Sequence, residues 1–380
     1  CSTQTKILLP LALNDSQKVL ADVCKRKHQS SLYNVKDVET TLNNVVGVDF
    51  NNKIKVTPNI EVTFLENGHL IGAAMILIEI NYPGEEPINV LFTGDYNNKN
   101  EFLNLHELPM RVRNKRMSVV IESTYGDTSV EEINHGFFSE KVLEAIEERK
   151  TIILPVFSLG RSQEILLRLK ELQDTNKLDV NIPIYFDGKL AQAYTALYCN
   201  SKILIDESKK DFFPRNLVAV NCEIREKLLQ TDDCKIIVTT SGMGTYGPAQ
   251  VYIPYFISKE NALILFTGYT AEGSFGANLR NAEEGEIVKV GGLICKKFAD
   301  VSYCNEFSAH AKSEELIELL KKFNNLRGVL INHGQTETKD AFAEKILKEI
   351  DISEVGILNR EYFFRIGSYG IIKTLSTKFK

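Results

Sequence analysis

The sequence lacks the features of a membrane protein and those of a secreted protein with disulfides. It also lacks the overall positive charge of many nucleic-acid-binding proteins. No run of about 18 apolar residues occurs, so no transmembrane helix is expected, and no signal peptide is visible. The seven cysteines form no CxxC pair, and an odd, scattered set is typical of reduced thiols in a cytosolic protein. The net charge is −5, so a polyanion would have to meet a local basic patch. We therefore expect a cytoplasmic protein with no membrane partner.

The composition of the 380 residues is that of an ordinary globular protein, with 43% hydrophobic and 25% charged residues. At roughly 100–200 residues per domain, this length predicts two or three domains, or one large domain with an insertion. The chain begins at Cys1 and not at a methionine, and its opening CSTQTKILLPLAL resembles the middle of a domain. We interpret the sequence as a fragment.

Two kinds of hydrophobic pattern follow each other along the chain. From Lys53 to Asp95, short β-branched segments such as EVTFL, AAMILIEI and INVLFTG predict an antiparallel meander. Further on, strands alternate with amphipathic helices: TIILPVFSLG precedes RSQEILLRLKEL, and IPIYFDG precedes KLAQAYTALY. This alternation predicts an α/β fold with a parallel or mixed sheet in the middle of the chain.

Three polar residues stand where apolar runs end. His69 follows EVTFLENG, Asp95 ends INVLFTG, and His333 follows RGVLIN. Imidazole and carboxylate are ligands that zinc prefers, and an open catalytic site uses about three protein ligands per metal. A single histidine at a strand end is more often an ordinary polar residue. The three together leave a shared metal site and the ordinary interpretation equally open.

Glu122 in VVIESTYG and His310 in NEFSAHAKSEEL form a second candidate pair. A carboxylate that leaves a buried strand can orient a histidine and stabilise its charge, and such a histidine can donate a proton to a leaving oxygen. From the residues alone, the simpler interpretation is that Glu122 caps a turn and His310 precedes a helix.

Glycine-rich segments follow several predicted strands: FSLGRSQE, TTSGMGTYG and FTGYTAEGSFG. Glycine lets backbone N–H groups approach a phosphate, and a helix that starts after it favours anions. The first segment adds Arg161, which can bind phosphate through two hydrogen bonds. Each signal alone is weak, because most such turns are only turns.

Eight short segments in a fixed order closely resemble the β-CASP branch of the metallo-β-lactamase superfamily. They are GHLIGAA, FTGD, ESTYG, PVFSLGRSQE, SGM, GYTAEGSFG, FSAHA and NHG. The greatest similarity is to bacterial and archaeal relatives of the endonuclease subunit of the cleavage and polyadenylation specificity factor. The resemblance implies an αββα sandwich with an inserted α/β domain: residues 1–137 and 276–380 would form the metallo-β-lactamase domain, and residues 138–275 the β-CASP insertion.

The resemblance also implies roles for the candidate residues. His69 is similar to the third-motif zinc ligand, Asp95 to the aspartate that bridges two zinc ions, and His333 to the histidine that completes the second site. Glu122 and His310 fall on residues that pair in the family, where the histidine is thought to protonate the leaving group. The residues implied to bind substrate are Arg161, Ser241, Gly242 and Ser308.

These roles imply a zinc-dependent ribonuclease, expected to cut single-stranded RNA endonucleolytically, with a β-CASP segment that closes over the site as a lid. Two zinc ions are expected, with manganese as an alternative, and a homodimer is left open. One competing interpretation is a catalytically inactive scaffold subunit. Another is a non-nuclease metallo-hydrolase acting on a small ester or thioester, although SLGRSQE and FSAHA favour nucleic acid.

The chain departs from the family in one large respect, because the motif His-x-His-x-Asp-His is absent. In relatives it lies just before a stretch similar to CSTQTKILLPLAL. We favour a sequence cut downstream of the motif over a paralogue that never had it, since His69, Asp95 and His333 are all intact. We expect the 380-residue polypeptide alone to bind zinc poorly and to cut nothing.

Overall fold

A computed structural model of the chain describes residues 1–200, 207–268, 275–290, 292–359 and 362–375. The strands, in chain order, are β1 (Lys53–Thr57), β2 (Ile60–Glu66), β3 (Ala74–Ile80), β4 (Ile88–Phe92), β5 (Met117–Ile121), β6 (Thr151–Pro155), β7 (Ile184–Asp187), β8 (Leu217–Ala219), β9 (Lys235–Thr239), β10 (Ala262–Phe266), β11 (Ile287–Val290), β12 (Leu293–Lys296), β13 (Asp300–Tyr303), β14 (Leu326–Ile331), β15 (Val355–Ile357), β16 (Tyr362–Gly367) and β17 (Gly370–Leu375). The α-helices are α1 (Thr3–Arg26), α2 (Val35–Asn44), α3 (Met110–Arg113), α4 (Phe137–Glu147), α5 (Arg161–Asp174), α6 (Lys189–Asn200), α7 (Cys222–Leu228), α8 (Ala249–Phe256), α9 (Phe275–Asn281), α10 (Ser313–Lys321) and α11 (Thr336–Glu349). Within these ranges, no helix combines the length and the apolar character needed to cross a membrane.

The chain forms two compact units. The first unit comprises residues 1–9, 40–132 and 309–380, and the second unit comprises residues 10–39 and 133–308. Residues 276–308, assigned from the sequence to the metallo-β-lactamase domain, lie in the second unit because β13 pairs in parallel with β10. The boundaries of the family domains stay a prediction.

The first unit is built on a seven-stranded mixed sheet with the order β1-β2-β3-β4-β5-β14-β15. Strands β1 to β4 pair antiparallel, which confirms the predicted meander, whereas β4, β5, β14 and β15 pair in parallel. Both β2 and β4 are antiparallel to β3, so β2 runs in the same direction as β4 and β5. The carboxyl ends of β2, β4, β5 and β14 therefore lie at one edge of the sheet.

Both faces of this sheet are covered, because neighbouring residues of a strand point to opposite faces. In β5, Val119 lies in a core cluster with residues of α10 and α11, including Leu316 and Phe342. The next residue, Val120, packs with partly buried residues of the β16–β17 hairpin, including Phe364. Burial on both sides explains why four of the five residues of β5 are apolar and all five are buried.

The second unit is built on a six-stranded sheet with the order β13-β10-β6-β9-β7-β8. Every pair in it is parallel, as the alternation of strands and helices predicted. The central strands β6, β9 and β10 are buried along their whole length. Tyr252 and Phe256 of α8 lie in one core cluster with Ile153, Ile237 and Ile264 of these strands.

Candidate active site

In the first unit, candidate residues follow four strands that run in the same direction. His69 comes after β2, Asp95 after β4, Glu122 directly after β5, and His333 after β14. His310 lies on the segment that leads into α10. The carboxyl ends of such strands meet at one edge of a sheet, where side chains from distant parts of the sequence converge.

The structure brings the three predicted metal ligands together. His333 Nδ1 lies 3.0 Å from Asp95 Oδ1, and His69 Nε2 lies 3.8 Å from Asp95 Oδ2. The ring centroid of His310 is 4.8 Å from that of His69 and 5.7 Å from that of His333. One ligand atom each of His69, Asp95 and His310 lie within 4.8 Å of one another. A second such group consists of Glu122, His310 and His333, so both groups among the described residues contain His310 and neither contains all three predicted ligands. Each spacing is suited to a metal ion.

The surroundings of His69 also fit a metal ligand. Its Nδ1–H donates to the carbonyl of Ala309 at 2.8 Å, so Nε2 carries the lone pair and is the nitrogen near Asp95. A backbone carbonyl on the second ring nitrogen is the usual way in which proteins orient a metal-binding histidine. Burial lowers the pKa of His69, and the nearby His310 acts in the same direction. Both favour the neutral imidazole that metals bind.

Asn67, which the sequence analysis did not select, links His69 to Asp95. Its side chain is buried, and its Nδ2 donates to the carbonyls of Thr93 at 3.2 Å and Asp95 at 2.8 Å. Its Oδ1 accepts from the backbone N–H of His69 at 3.2 Å. In the sequence, Asn67 is only an asparagine before a glycine, which is the common signal of a turn. Its role depends on contacts made 28 residues away.

The backbone at His333 is held in an uncommon conformation. His333 has a φ of +50°, and the following Gly334 has a φ of +136°. The carbonyl of His333 accepts from the backbone N–H of Ser123 at 2.9 Å and from its Oγ at 2.8 Å. A Cβ on Gly334 would lie 2.7 Å from the carbonyl oxygen of Ser123, so this close approach requires glycine. These hydrogen bonds therefore connect the segments that follow β5 and β14.

Glu122 and His310 form the predicted pair. His310 Nδ1 donates to Glu122 Oε2 at 2.8 Å, and the residue Glu122 is only 3% exposed. Thr124 Oγ1 donates to the same carboxylate at 2.6 Å, and the N–H of Tyr96 donates to Oε1. Burial acts to raise the pKa of Glu122, but the hydrogen bonds from His310, Thr124 and Tyr96 outweigh it and hold the pKa below its ordinary value. Glu122 is thus a carboxylate at neutral pH.

A clasp of Tyr125 and Lys312 joins the two segments that carry this pair. The two residues form an isolated parallel β-bridge. The Nζ of the buried Lys312 lies 3.4 Å from the centroid of the Tyr125 ring. Lys312 follows His310 by two residues and Tyr125 follows Glu122 by three. The clasp therefore restricts how far Glu122 and His310 can separate.

In the second unit, Arg161, Ser241 and Gly242 lie beyond the carboxyl ends of the neighbouring strands β6 and β9. Arg161 is only 7% exposed: its Nη1 donates to Glu164 at 2.6 Å and its Nη2 donates to the carbonyl of Phe307. The Oγ of Ser241 accepts from the N–H of Tyr246 at 3.2 Å, and Ser308 is half-buried. Most of the GYTAEGSFG segment, residues 269–274, lies outside the described residues. Substrate binding by these residues stays a prediction.

Two family models match the chain. The model of the Beta-Casp domain matches residues 162–279, and the model of a Zn-dependent metallo-hydrolase RNA specificity domain matches residues 298–355. The first model covers most of the second unit's sheet and helices. The second includes His310 and His333 of the candidate site.

Curated relatives are similar over most of the chain. An RNase J-like protein of Methanocaldococcus jannaschii is 32% identical over 329 residues, which are 84% of this chain and 74% of the relative. Transcription termination factor FttA of Methanosarcina mazei is 26% identical over 95% of this chain and 58% of the relative. Integrator complex subunit 11 of Danio rerio is 25% identical over 92% of this chain and 57% of the relative. The chain thus spans less than two thirds of the last two relatives.

Proposed function

Because this chain belongs to the β-CASP family of the metallo-β-lactamase superfamily, we propose that it acts as a zinc-dependent ribonuclease that hydrolyses RNA phosphodiester bonds. One observation carries the proposal: His69, Asp95 and His333 converge at the sheet edge where Glu122 holds His310. This set combines metal ligands with a proton donor, the two elements of metal-dependent phosphodiester hydrolysis.

His69, Asp95 and His333 are the residues that would hold the metal. Two imidazoles and a carboxylate suit zinc and also permit manganese. We propose two zinc ions, to which the carboxylate of Asp95 would contribute ligand oxygens. When bound, zinc acts as a Lewis acid and makes hydroxide available at neutral pH. The 380 residues contain no His-x-His-x-Asp-His motif, so these three side chains are only part of a di-zinc ligand set.

His310 would protonate the departing ribose oxygen. Its Nδ1–H is given to Glu122, so the proton that leaves must come from Nε2. The carboxylate of Glu122 stabilises the positive charge of the imidazolium and fixes the direction of the ring. Thr124 and the N–H of Tyr96 in turn hold Glu122 in place. Cleavage inside a strand stays a prediction.

RNA is the substrate that the comparisons support. The matched metallo-hydrolase model is described as an RNA specificity domain, and two relatives are named as an RNase J-like protein and a probable RNase. These names favour RNA over the small esters and thioesters of the alternative hydrolase. A homodimer stays a prediction, to be tested by the mass of the protein in solution from light scattering.

The test measures zinc and cleavage in parallel. Zinc bound by the purified 380-residue chain is titrated against a chelator, and labelled single-stranded RNA is incubated with this chain and with the product of the whole reading frame. We expect weak zinc binding and no cleavage by the 380 residues, and zinc-dependent cleavage by the whole product. Full di-zinc occupancy and nuclease activity in the 380-residue chain would contradict the ligand assignment.

The same samples separate the competing functions. Cleavage by the whole product that survives removal of all metal would contradict the zinc mechanism. A reading frame without His-x-His-x-Asp-His upstream of Cys1, together with no cleavage, would favour the scaffold subunit. Turnover of a small ester or thioester without any cleavage of RNA would favour the non-nuclease hydrolase.

A further inference from the structure

We propose that Phe157 is a stacking platform for one base of single-stranded RNA, an inference that rests on the proposed function. Phe157 follows β6, whose residues are all buried, and Val156 before it is buried as well. The Phe157 side chain is nevertheless 38% exposed at the carboxyl edge of the six-stranded sheet. An exposed phenylalanine directly after six buried residues, five of them in a central strand, is the feature that indicates a ligand.

One edge of the Phe157 ring lies against the backbone of two glycines. Gly242 follows β9 and Gly268 follows β10, the two strands that flank β6. A Cβ on Gly242 would lie 2.9 Å from Cδ2 of Phe157, and a Cβ on Gly268 would lie 3.2 Å from Cε2. One edge of the ring therefore rests on two glycines. Neither glycine has a side chain that could cover the faces of the ring.

The backbone of Phe157 is also held in place. Its carbonyl accepts from the N–H of Ser162 at 3.1 Å and from the Oγ of Ser162 at 2.7 Å. Ser162 is fully buried in the first turn of α5. A platform fixed in this way loses little conformational freedom on binding, which is what a recognition site requires.

The chemistry of the surroundings favours a nucleobase. An aromatic face stacks on every base, and such stacking contributes about 1–3 kcal/mol per base in single-strand binding proteins. Beside the ring lies Arg161, whose Nε is buried and has no hydrogen-bond partner among the described residues. This Nε lies 4.0 Å from the position that a Cβ of Gly268 would occupy. The Arg161 side chain therefore lies near the ring but is buried, so the nucleobase would be held by the aromatic face.

Fluorescence anisotropy of the 380-residue chain with labelled oligo-U and oligo-A tests the platform. We expect Phe157→Ala and Phe157→Leu to weaken binding of both oligonucleotides by about 5- to 100-fold, the equivalent of one lost stacked base. Phe157→Tyr should stay within about twofold of the wild type, because its ring stacks equally well. Tyr255→Ala is the matched control, since Tyr255 has the same exposed fraction of 38% in the same unit. Circular dichroism of each variant verifies folding.

A second readout separates stacking from mere apolar contact. Oligonucleotides with 2-aminopurine at successive positions should show quenching at one position in the wild type, and Phe157→Ala should relieve it. Binding by Phe157→Leu that matches the wild type would overturn the platform and indicate an apolar contact, as a protein partner would make. Wild-type binding that Phe157→Ala leaves unchanged would overturn the platform but not the nuclease. No binding of RNA by the wild-type 380-residue chain would overturn the platform, whereas the nuclease is tested separately by cleavage with the whole product.

Discussion

The carboxyl edges of the two sheets have the same construction but carry different side chains. In the first unit, the strand exits deliver a mutually bonded set of ionisable groups, with Asp95 next to two histidines and Glu122 bonded to a third. In the second unit, the corresponding exits deliver glycines, an exposed aromatic ring and Arg161, whose guanidinium is already paired with Glu164. The edge in the first unit carries the groups proposed for catalysis, and the edge in the second unit carries groups suited to binding a ligand.

This difference shows how one topology serves two purposes. Parallel strands place all their exits at one edge, whatever the side chains are. Ionisable groups at that edge are expensive to bury and need one another, so they occur as a network. Glycines at that edge cost only chain entropy and leave space for a ligand. Changes at the first edge should therefore alter rate and metal affinity, and changes at the second edge should alter RNA binding.

The largest expected effect comes from a substitution at the carboxyl edge of the first unit's sheet. In the whole nuclease, His310→Ala should lower the cleavage rate about 10²- to 10⁴-fold, because the leaving oxygen loses its proton donor. The affinity for RNA should change less than about twofold, since His310 is proposed to act in the chemical step and not in binding. His106→Ala is the control, because His106 is exposed and bonded only to Glu66 in the same unit. Equal losses in both variants would contradict the role of His310.

The second largest effect concerns a buried ion pair at the carboxyl edge of the second unit's sheet. Asp187, at the end of β7, is fully buried and accepts two hydrogen bonds from Arg225 at 2.7 and 2.8 Å and one from Tyr252 at 2.8 Å. Asp187→Asn should lower the free energy of unfolding of the second unit by about 3 kcal/mol, because Arg225 loses its partner charge.

Hydrogen exchange measures this loss in each unit separately. Amides of β9 should exchange faster in Asp187→Asn, whereas amides of β5 in the first unit should not. Asp211→Asn is the control, since Asp211 is 84% exposed and 3.6 Å from Lys170. Faster exchange in β5 as well would show that the two edges are not independent.

A smaller effect refines the picture of the first edge. Asn67→Ala should weaken zinc binding by about 10- to 100-fold, the usual loss when a residue that orients metal ligands is removed. Competition with a chelator measures the affinity in the 380-residue chain and in the whole product. Asn324→Ala is the control, because Asn324 is exposed and bonds to Asn114 away from the site. Unchanged zinc affinity in Asn67→Ala would mean that His69 and Asp95 need no such link.

The smallest effect concerns acid stability of the first unit away from the site. Hydrogen bonds from Lys345 and the N–H of Val130 outweigh the effect of burial and lower the pKa of Glu314 to about 2. Because this folded-state pKa lies below the ordinary 4.5, the stabilisation is present above pH 4.5 and is lost as the pH falls toward 2.

Acid unfolding followed by circular dichroism measures that loss. Glu314→Gln should unfold with a weaker dependence on pH between about 4.5 and 2, corresponding to about 1 kcal/mol after screening by solvent. Glu318→Gln on the same helix is the control, since Glu318 is exposed. A pH dependence equal to that of the wild type would contradict the assigned pKa.

Much of the fold was predictable because burial leaves a local pattern. The antiparallel meander between Lys53 and Asp95 and the parallel sheet of the second unit are both confirmed. The residues just before Lys53 are mostly polar, yet they contain α2. There, Asn34 and Asp37 cap each other's backbone N–H groups, a capping box that low hydrophobicity concealed. Helix α1 also continues through Pro10, although a proline inside a helix usually kinks or ends it.

The candidate site was predictable in its members but not in its connections. The chemistry of histidine and carboxylate at strand ends selected His69, Asp95, Glu122 and His333 from the sequence. The sequence did not reveal that Arg161 pairs with Glu164 and Phe307. An arginine after a glycine turn has the same local pattern whether its guanidinium is bonded within the protein or is available to a ligand. Asn67 was missed for the converse reason, because its pattern is that of any turn.

The sequence by itself determined many of the strands and helices, and which ionisable residues stand at their ends, because both depend on residues close together in the chain. Only the tertiary structure decided that Glu122 meets His310 across 188 positions and that His69 meets the carbonyl of Ala309 across 240. It also decided that Phe157 rests on Gly242 and Gly268. The partner of a polar or aromatic group depends on which strand lies beside it, and strand order is a property of the folded sheet.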